Sequence, residues 1–415
     1  MWKETSVPDE RMRFVLACLD EEDSVAQLCR RSGICRRIGY KWLGRYRESG
    51  TAGLADRSRA AHTHPNQVEA AVERRILAMR ARHPTWGARK LLAAVARQCR
   101  RDGEELDLPA ASTVGQLLKR NGLVVPRRGR RRSSAPAAAA VTGPGEPGPN
   151  RLWNADFKGW FRTLDGGRCD PLTVSDAHSR YLLRCHAVRD LGYLCARGQF
   201  EAAFREFGLP DAVRTDNGPP FAGPGVAGLS RLAVWWIRLG IAHVRIEPGK
   251  PQQNGSHERM HGTLKRQTAS PPARTLRQQQ ARFDAFVREY NQDRPHEGLA
   301  GMATPASLYA ASGRAYPERL PEVEYPAGVA VRRVDDTGKF CWDGPKVFLG
   351  KALAGQAVAL GPLGPEDEAA ELEPRPARYR VVRFGEVDLG VLDVGRGRLL
   401  TPRERRHVRP PHGVE

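Results

Sequence analysis

The segment that most constrains the architecture runs from Val125 to Asn150 and lacks the residues that build a core. Its sequence, VPRRGRRRSSAPAAAAVTGPGEPGPN, holds five arginines within positions 127–132, followed by alanine, proline and glycine. Such a composition buries too little apolar surface to offset the conformational entropy lost on ordering. We therefore interpret residues 126–149 as a basic linker, so the chain must fold as separate parts on either side of it.

Length and charge narrow the class of protein further. A chain of 415 residues is too long for one hydrophobic core. Its 67 Lys and Arg against 47 Asp and Glu give a net charge of +20. That excess indicates a polyanionic partner, most simply nucleic acid, the alternative being a merely basic and highly soluble protein.

Several features predict a soluble, intracellular protein of a reducing cytoplasm that is not associated with a membrane. No apolar run approaches the roughly 20 residues that a membrane span needs. The amino terminus, MWKETSVPDERMRF, lacks the apolar stretch of a signal peptide. The 8 cysteines occur singly, without CxxC pairs, which indicates neither a disulfide framework nor a structural zinc site.

Residues 1–60 are predicted to form a helix-turn-helix unit, with helical periodicity from about residue 10 to residue 48. The sequence SVAQLCRRSGICRRIGYKWLGRYRE supplies a first helix, a turn at Gly33 and a second, basic helix. The first helix is expected to bury Val25, Leu28 and Cys29. The second helix is expected to bury a stripe made of Ile34, Ile38 and Trp42.

The second, basic helix is the expected recognition helix for DNA. Gly39 lies inside it at a cost of about 1 kcal/mol of helix propensity. Its lack of a side chain is expected to let the backbone approach either DNA or the first helix closely. The predicted DNA contacts of this helix are Arg36, Arg37, Tyr40, Lys41 and Arg45.

Residues 66–125 are predicted to form a second helix-turn-helix unit, of the winged type. The stretches QVEAAVERRILAMRARHP, WGARKLLAAVARQCR and PAASTVGQLLKRNGLV indicate three helices, the last ended by Asn121-Gly122. Arg89, Lys90 and Lys119 are its predicted phosphate contacts.

Residues 150–312 alternate strand and helix patterns, which predicts an α/β domain with a mixed five-stranded sheet flanked by helices. The first strand, LWNADFKGWF, alternates apolar and polar positions. Further strands are LTVSD, YLLRCHAV, AVRT and HVRI, and the helices between them are GQFEAAFREFGLP and LSRLAVWWIRLGI.

Residues 320–400 contain the short alternating runs GVAVRRV, KFCWDG, QAVAL and YRVVRFG, which predict a small β-barrel domain. A nucleic-acid surface and a plain packing domain are equally compatible with this pattern. The residues that would face nucleic acid are Lys339, Trp342, Lys346 and Arg383.

Three acidic residues in the α/β region occupy positions that a packed sheet does not favour. Asp156 lies inside a strand, where aspartate is disfavoured and where a buried carboxylate needs a partner or a cation. Asp216 ends the strand AVRT, at the edge where α/β sheets place ligands. Glu258 follows PQQNGSH in the first turns of a helix, whose dipole favours the ionised carboxylate. Glu247, before Pro248-Gly249, is the alternative to Glu258.

These carboxylates can converge only if a cation offsets their repulsion. Mg²⁺ fits, because it prefers carboxylate and phosphate oxygens. Two ions about 4 Å apart, with Mn²⁺ as a substitute, would activate one oxygen and stabilise the other in phosphoryl transfer. Asp165 fits a turn, Asp170 precedes Pro171 and Asp176 fits a strand-ending turn, each better than catalysis. The basic and polar residues predicted to contact DNA beside the acids are Lys250, Asn254, His261, Lys265 and Arg266.

Several motifs together resemble one known family. They are GYKWLGRY, HPTWGARKLL, LWNADFKG, RTDNGPPF, HVRIEPGKPQQNGSHERMHGTLKR and YNQDRPHEGL…TPASLY. The chain resembles bacterial insertion-sequence transposases with a retroviral-integrase-type (DDE) catalytic core of the RNase H-like fold. The resemblance covers nearly the whole chain, with its motifs in family order.

The resemblance implies a catalytic and metal-binding triad at Asp156, Asp216 and Glu258, with Asp156 bridging both metals. It implies cleavage of double-stranded DNA at the element's terminal inverted repeats, and joining of the 3′-hydroxyl to target DNA. Asn217 and Gly218 would shape the loop beneath the triad. A dimer or larger homo-oligomer on DNA is expected, since two ends must be cut together.

The chain also departs from the family pattern. The 41 residues between Asp216 and Glu258 exceed the usual spacing, and the stretch AGPGVAG is expected to absorb the excess in a loop. Cys35 stands where a serine or threonine commonly caps the recognition helix, and an integrase-style His/Cys zinc module is absent at the amino terminus. Two alternatives stay open: a catalytically silent DNA-binding regulator and a structure-specific nuclease without strand transfer.

Overall fold

The computed structural model describes residues 6–57, 67–124, 148–247, 255–362 and 378–408. They belong to two compact units, Met1–Glu69 and Ala70–Glu415. The predicted linker at 126–149 lies outside the described residues except for its last two positions. No helix in the described ranges has the length and apolar character to cross a bilayer.

The first unit is helical, as predicted, and it contains one helix before the predicted helix-turn-helix pair. Its helices are α1 (Val7–Leu19), α2 (Val25–Arg31) and α3 (Arg36–Ser49). Ser6 and Ser24 open the first two helices with reciprocal capping-box hydrogen bonds. Cys35 opens α3 without a side-chain hydrogen bond, so the weak cap expected from the sequence is observed.

The buried face of α3 differs from the predicted stripe. Trp42 is buried, but Ile38 is 41% exposed, and the inward positions are Gly39, Trp42 and Leu43. A Cβ at Gly39 would overlap the Sγ of Cys29 and lie 2.9 Å from the ring of Phe14. Gly39 therefore lets α3 lie against α1 and α2. Of the two expected roles of Gly39, close approach to DNA or to the preceding helix, the structure supports approach to the preceding helix, α2.

The second unit begins with three helices, as predicted: α4 (Ala70–Arg82), α5 (Ala88–Asp102) and α6 (Ala111–Arg120). Asn121 ends α6, and its Nδ2 donates to the carbonyl of Leu117 over 2.9 Å. Gly122 follows with φ +68°, which is the left-handed conformation that glycine accepts readily. No strand occurs within residues 67–124, so the wing expected for this unit is not found there.

A mixed sheet forms the centre of the second unit, as predicted for residues 150–312. Its strands are β1 (Leu152–Phe157), β2 (Phe161–Arg162), β3 (Arg168–Asp176), β4 (Leu182–Val188), β5 (Ala212–Thr215) and β6 (Ala242–Arg245). The order is β4-β3-β1-β5-β6, antiparallel among the first three and parallel among the last three. Six strands replace the five expected, because LWNADFKGWF breaks after Phe157 and β2 pairs with β3 beyond the break.

Helices cover both sides of this sheet. They are α7 (Tyr193–Phe207) and α8 (Arg231–Arg238) on one side, and α9 (Gly255–Thr268) and α10 (Leu276–Arg288) on the other. The first side packs in an apolar cluster around Trp153, Phe200 and Trp236. The other side packs around Leu264 and Phe283. A π-helical turn, Glu289–Asp293, continues α10.

The carboxyl-terminal region forms an open sheet in the described residues, so the predicted small β-barrel is not confirmed. Its elements are β7 (Ala330–Arg333), β8 (Lys339–Cys341), β9 (Lys346–Phe348), β10 (Ala357–Gly361), β11 (Tyr379–Phe384), β12 (Val387–Asp393), β13 (Arg398–Leu399) and α11 (Pro402–Val408). The five-stranded order is β13-β12-β11-β10-β7, while β8 and β9 pair only with each other. Phe340 of β8 and Val347 of β9 pack on the apolar face of the five-stranded sheet. The edge strands β13 and β7 do not pair with each other.

This region is fixed to the α/β core through α8. The two tryptophans of α8, Trp235 and Trp236, pack in the core cluster, whereas Ala233 and Val234 pack against the carboxyl-terminal sheet. A helix that is apolar on both faces is buried between two layers. Of the two functions considered for this region, packing is therefore the one with structural support.

Candidate active site

The three acids of the expected triad lie near the carboxyl ends of the adjacent central strands β1 and β5. β1 and β5 are adjacent and parallel, with Asn154 level with Arg214. Asp156 and Asp216 each lie two residues further on, so the register places them side by side. Glu258 lies in the first turn of α9, which packs over this side of the sheet. The side chain of Asp156 is 20% exposed, and Asp216 and Glu258 are exposed.

The electrostatics of Asp156 show that the acids act on one another. The pKa of Asp156 is raised to about 7, first by burial and then by the charges of Asp216 and Glu258, while the backbone amide of Phe157 and the charge of Lys158 act in the opposite direction. Like charges held near a half-buried carboxyl disfavour its ionised form. The effect of Glu258 favours it over Glu247, which is exposed just after β6. A group with so perturbed a pKa in a cleft marks a candidate functional site.

A hydrogen-bond network that was not predicted from the sequence contacts the backbone of Asp156. Thr173 Oγ1 lies 3.1 Å from the carbonyl oxygen of Asp156 and 2.7 Å from Nε2 of both His257 and His261. Ser175 Oγ lies 3.0 Å from Nδ1 of His257. A signal was present, because His257, Met260, His261 and Leu264 follow one helical face and all are buried.

The network fixes the proton positions. The carbonyl of Asp156 can only accept, so all three contacts of Thr173 are hydrogen bonds only if its hydroxyl donates there. Both histidines must then donate from Nε2 to Thr173. Burial lowers the pKa of His257 to about 3 and that of His261 to about 2, so both rings are neutral. The remaining Nδ1 of His261 is an acceptor, 3.8 Å from Oδ2 of Asp156.

This network decides which residues suit a metal ion. Ligand atoms of Asp156, His257 and His261 lie within 4.8 Å of one another. Both nitrogens of His257 are already hydrogen-bonded to hydroxyl groups, so this trio is a support and not a ligand set. Carboxylate oxygens from Asp156, Asp216 and Glu258 match the preference of Mg²⁺.

His261 therefore differs from the expected DNA contact. It is 6% exposed and points at Thr173 and Asp156 instead of away from the sheet. The reason is its helical position, since it shares the buried face with Met260 and Leu264, whereas Glu258 and Lys265 are exposed.

The loop after β5 is held in place by its own polar groups. The backbone amide of Gly218 donates to Oδ1 of Asp216 over 3.1 Å. Nδ2 of Asn217 donates to the carbonyl of Ile246 at the end of β6. These bonds orient the Asp216 carboxylate, which agrees with the shaping role expected of Asn217 and Gly218. The stretch AGPGVAG, residues 222–228, lies in the loop between β5 and α8, as expected.

The three acids that were expected to have structural roles, Asp165, Asp170 and Asp176, all have partners. Oδ1 of Asp165 accepts from the amide of Gly167 over 3.1 Å. Asp170 forms an ion pair with Arg168 at 2.7 Å. Asp176 accepts from the amides of Asn150 and Ser179.

The predicted DNA contacts differ in exposure. Those that are exposed are Arg36, Arg37, Tyr40, Lys41, Arg89, Lys119, Lys265 and Arg266. Arg45 is half-buried, with its guanidinium 5.0 Å from the ring of Trp42. Lys90 is half-buried, and burial lowers its pKa. Lys250 and Asn254 lie outside the described residues.

The second helical unit is bonded to the α/β core, which the sequence did not indicate. Nε1 of Trp86 donates to Oε1 of Glu289 over 2.9 Å. Arg97 donates to the carbonyls of Asp293 and Met302 over 3.3 and 3.2 Å. These three partners lie in or after the π-helical turn that follows α10.

Comparison with known families defines the class of protein. Two models of an integrase core domain match residues 146–251 and 239–305. A helix-turn-helix domain matches residues 10–62, and a homeodomain-like domain matches residues 38–118. The chain is thus an integrase-core protein with helix-turn-helix DNA-binding domains.

Relatives narrow the class. A 31.7 kDa protein of insertion element IS407 from Burkholderia multivorans is 28% identical over 253 residues, 61% of this chain and 84% of the relative. A 39.2 kDa protein of insertion element IS476 from Xanthomonas euvesicatoria is 29% identical over 291 residues, which are 68% of this chain and 77% of the relative. Both relatives are insertion-element proteins, and this chain is similar to them over most of their length.

Solved structures similar to the chain include the magnesium-bound integrase catalytic core domain of HTLV-2 in its trimeric form. That chain is 17% identical, with 39% of this chain and 98% of the integrase core covered and a TM-score of 0.32. A simian T-cell lymphotropic virus intasome is 14% identical, with 60% and 79% covered and a TM-score of 0.31.

Proposed function

We propose that this protein is a transposase that cuts DNA at the ends of an insertion element and joins the exposed 3′-hydroxyl to target DNA. The observation that carries the proposal is the register of β1 and β5, which places Asp156 and Asp216 side by side, with Glu258 in the first turn of α9 on the same side of the sheet. Three carboxylates from two strands and a helix converge within an integrase core domain of a chain with net charge +20. Such an arrangement is costly without a cation and a polyanionic substrate.

Two divalent ions, Mg²⁺ or Mn²⁺ in its place, would be held by Asp156, Asp216 and Glu258. They would supply activation of the attacking oxygen and stabilisation of the leaving oxygen in an in-line displacement. The chain's own residues supply position. Thr173 holds the backbone of Asp156, the loop bond from Gly218 orients Asp216, and α9 carries Glu258 together with exposed cationic residues for the flanking phosphates.

The proposed partner is double-stranded DNA, in two roles. The helix-turn-helix domains would read the terminal inverted repeats, mainly through the exposed cationic face of α3. The core would then hold target DNA by its phosphates, with strongly salt-dependent affinity. Because two element ends must be cut together, we propose a homo-oligomer on DNA.

The proposal is tested by nicking of supercoiled plasmid in Mg²⁺ and in Mn²⁺. The wild type is expected to nick, and Asp156→Asn is expected to be inactive. Asp336→Asn makes the same chemical change at an exposed position of the carboxyl-terminal region and should leave nicking intact. Wild-type protein that binds DNA but fails to nick in either metal would favour the DNA-binding regulator.

Strand transfer needs a second assay. Oligonucleotides copied from the imperfect repeats that flank the gene would be incubated with a target plasmid. Joined products distinguish a transposase from a nuclease, which would give cut products alone.

A further inference from the structure

Trp160 is an exposed tryptophan next to the candidate active site. Its side chain is 56% exposed, whereas the other tryptophans of the described residues are buried or half-buried. It lies in the break between β1 and β2, four residues after Asp156. Because β1 ends at Phe157, Trp160 lies outside the strand, and its side chain does not have to point to one of the two covered faces of the sheet.

A cavity of about 320 Å³ opens beside this ring. Its volume is at the lower end of the range of small-molecule sites, roughly 300–1,000 Å³. Leu264 of α9 and Phe283 of α10 are fully buried and form an apolar floor. Trp160 and Phe161 add aromatic surface to the lining.

The rim of the cavity is cationic. Lys158 and Lys265 both line it, on the side of the acids. The guanidinium carbons of Arg162 and Arg168 lie 5.7 and 5.5 Å from the Trp160 ring. Arg168 is paired with Asp170, but the other three cations of this set have no carboxylate within ion-pair distance among the described residues. An apolar, aromatic slot with a positive rim suits a flat, uncharged ring attached to a phosphodiester.

We propose that this cavity, the Trp160 pocket, binds a single unpaired nucleobase of the DNA substrate, with the base stacked on Trp160. The adjacent phosphates would contact Lys158 and Lys265. Every base presents a flat face, so stacking of this kind tolerates any sequence. The inference rests on the proposed function, since it assigns a subsite to the same DNA.

The position of the pocket gives the stacked base a role. Lys158 lines the pocket and lies two residues after Asp156 in the chain, so the rim of the pocket and the acids are neighbours. Lys265 lies two helical turns after Glu258 on the exposed side of α9. A base held here would be displaced from a duplex end close to the cleaved phosphate. Frayed or tailed DNA is therefore expected to bind better than blunt duplex, because the cost of unpairing a base is already met.

The test is photocrosslinking of the full chain to duplex DNA with a short unpaired tail that carries 5-iododeoxyuridine. The crosslinked peptide is identified by mass spectrometry, and affinities for tailed and blunt duplex are measured in parallel. We expect the crosslink at Trp160. Trp160→Ala should lose it and bind the tailed duplex roughly 5- to 150-fold more weakly, the range for loss of one base–aromatic stack. Trp160→Phe should retain most of the affinity.

Leu164→Ala is the matched control, because it removes a 69%-exposed apolar side chain from the same hairpin outside the pocket. It should bind both duplexes as the wild type does. Thermal unfolding of each variant excludes misfolding as the cause of a change. If the crosslink lies elsewhere, or Trp160→Ala binds tailed DNA normally, the proposal is overturned. Loss of self-association without loss of the tail preference would overturn it too, in favour of a protein contact.

The nicking assay separates this proposal from the proposed function. Nicking by the wild type without a Trp160 crosslink would leave the function and remove the pocket. A Trp160 crosslink in a protein that does not nick would leave the pocket and remove the function.

Discussion

The two sides of the central sheet have opposite compositions. The side under α7 and α8 is a continuous apolar cluster that includes Trp153, Phe200, Phe204 and Trp236, all fully buried. The side under α9 mixes apolar residues with buried polar groups such as Thr173, and it ends at the candidate active site. Strand β1 serves both, because successive side chains of a strand point to opposite faces.

This contrast separates the residues that stabilise the fold from the residues of the candidate active site. Each large apolar side chain on the first side contributes favourable burial free energy. On the second side, a half-buried carboxyl beside two like charges costs free energy whenever it is ionised. A protein tolerates such a site because the other side compensates for it. Substitutions on the two sides should therefore have opposite effects on stability and activity.

The largest effect is expected for Asp156→Asn, which should abolish nicking. The loss should exceed the roughly 10- to 100-fold typical of removing a residue that only supports a metal ligand. The same change should stabilise the metal-free protein at pH 8. The folded pKa of about 7 lies above the unfolded value of about 3.9, so the stability linked to Asp156 is full below pH 4 and lost as the pH rises through 7. The gain is up to about 4 kcal/mol, measured by urea unfolding.

The control for this experiment is the pH itself. At pH 4 the carboxyl is protonated in the wild type, so the two proteins should unfold at nearly the same urea concentration. A wild type that is more stable than Asp156→Asn at pH 8 without metal would contradict the assigned cost of the acidic cluster.

Phe200→Ala tests the apolar side. Phe200 is fully buried and its ring lies 4.8 Å from that of Trp236. Truncation should destabilise the protein by about 3–5 kcal/mol, through lost burial and the cavity left behind. Nicking per folded molecule should stay near the wild-type value when assayed well below the unfolding temperature. A selective loss of nicking in a protein that stays folded would break the proposed division between the two sides.

The sequence predicted the apolar side more completely than the polar one. The alternation of Trp153, Ala155 and Phe157 indicated which residues of β1 face the apolar cluster, because local periodicity carries that information. It also singled out Asp156 as misplaced for a strand. Neighbouring partners were beyond reach, since the contact between Thr173 and His261 joins residues 88 positions apart. The prediction that Ile38 is buried was wrong for a similar reason. The small size of Gly39, and not the hydropathy of Ile38, decides which face of α3 packs inward.

Thr173→Val sharpens the comparison by removing one hydroxyl from the polar side. The change conserves shape, but it leaves Nε2 of two buried histidines without an acceptor, at a cost of about 1–3 kcal/mol each at most. Nicking should fall roughly 10- to 100-fold and need more Mn²⁺ for half-maximal rate, as for other residues that orient metal ligands. Mn²⁺ binding, followed by electron paramagnetic resonance, should weaken in parallel.

Thr173→Ser supplies the matched control for this position, since it keeps the hydroxyl and loses only a methyl group. It should restore Mn²⁺ binding and most of the nicking. If the valine variant binds Mn²⁺ as tightly as the wild type, Thr173 does not position Asp156.

The smallest effect is expected at the link between the second helical unit and the polar side. Trp86→Phe keeps an aromatic ring against His83, which stacks on Trp86 at 3.7 Å, but removes the indole donor to Glu289. Glu289 retains Arg294 at 3.4 Å, so its carboxylate is not left alone, and the cost should be about 1–2 kcal/mol. Hydrogen exchange should increase in α4 and α5 and stay unchanged around Phe200. Exchange that rises equally at both places would show that the two sides of the sheet unfold as one and are not energetically distinct.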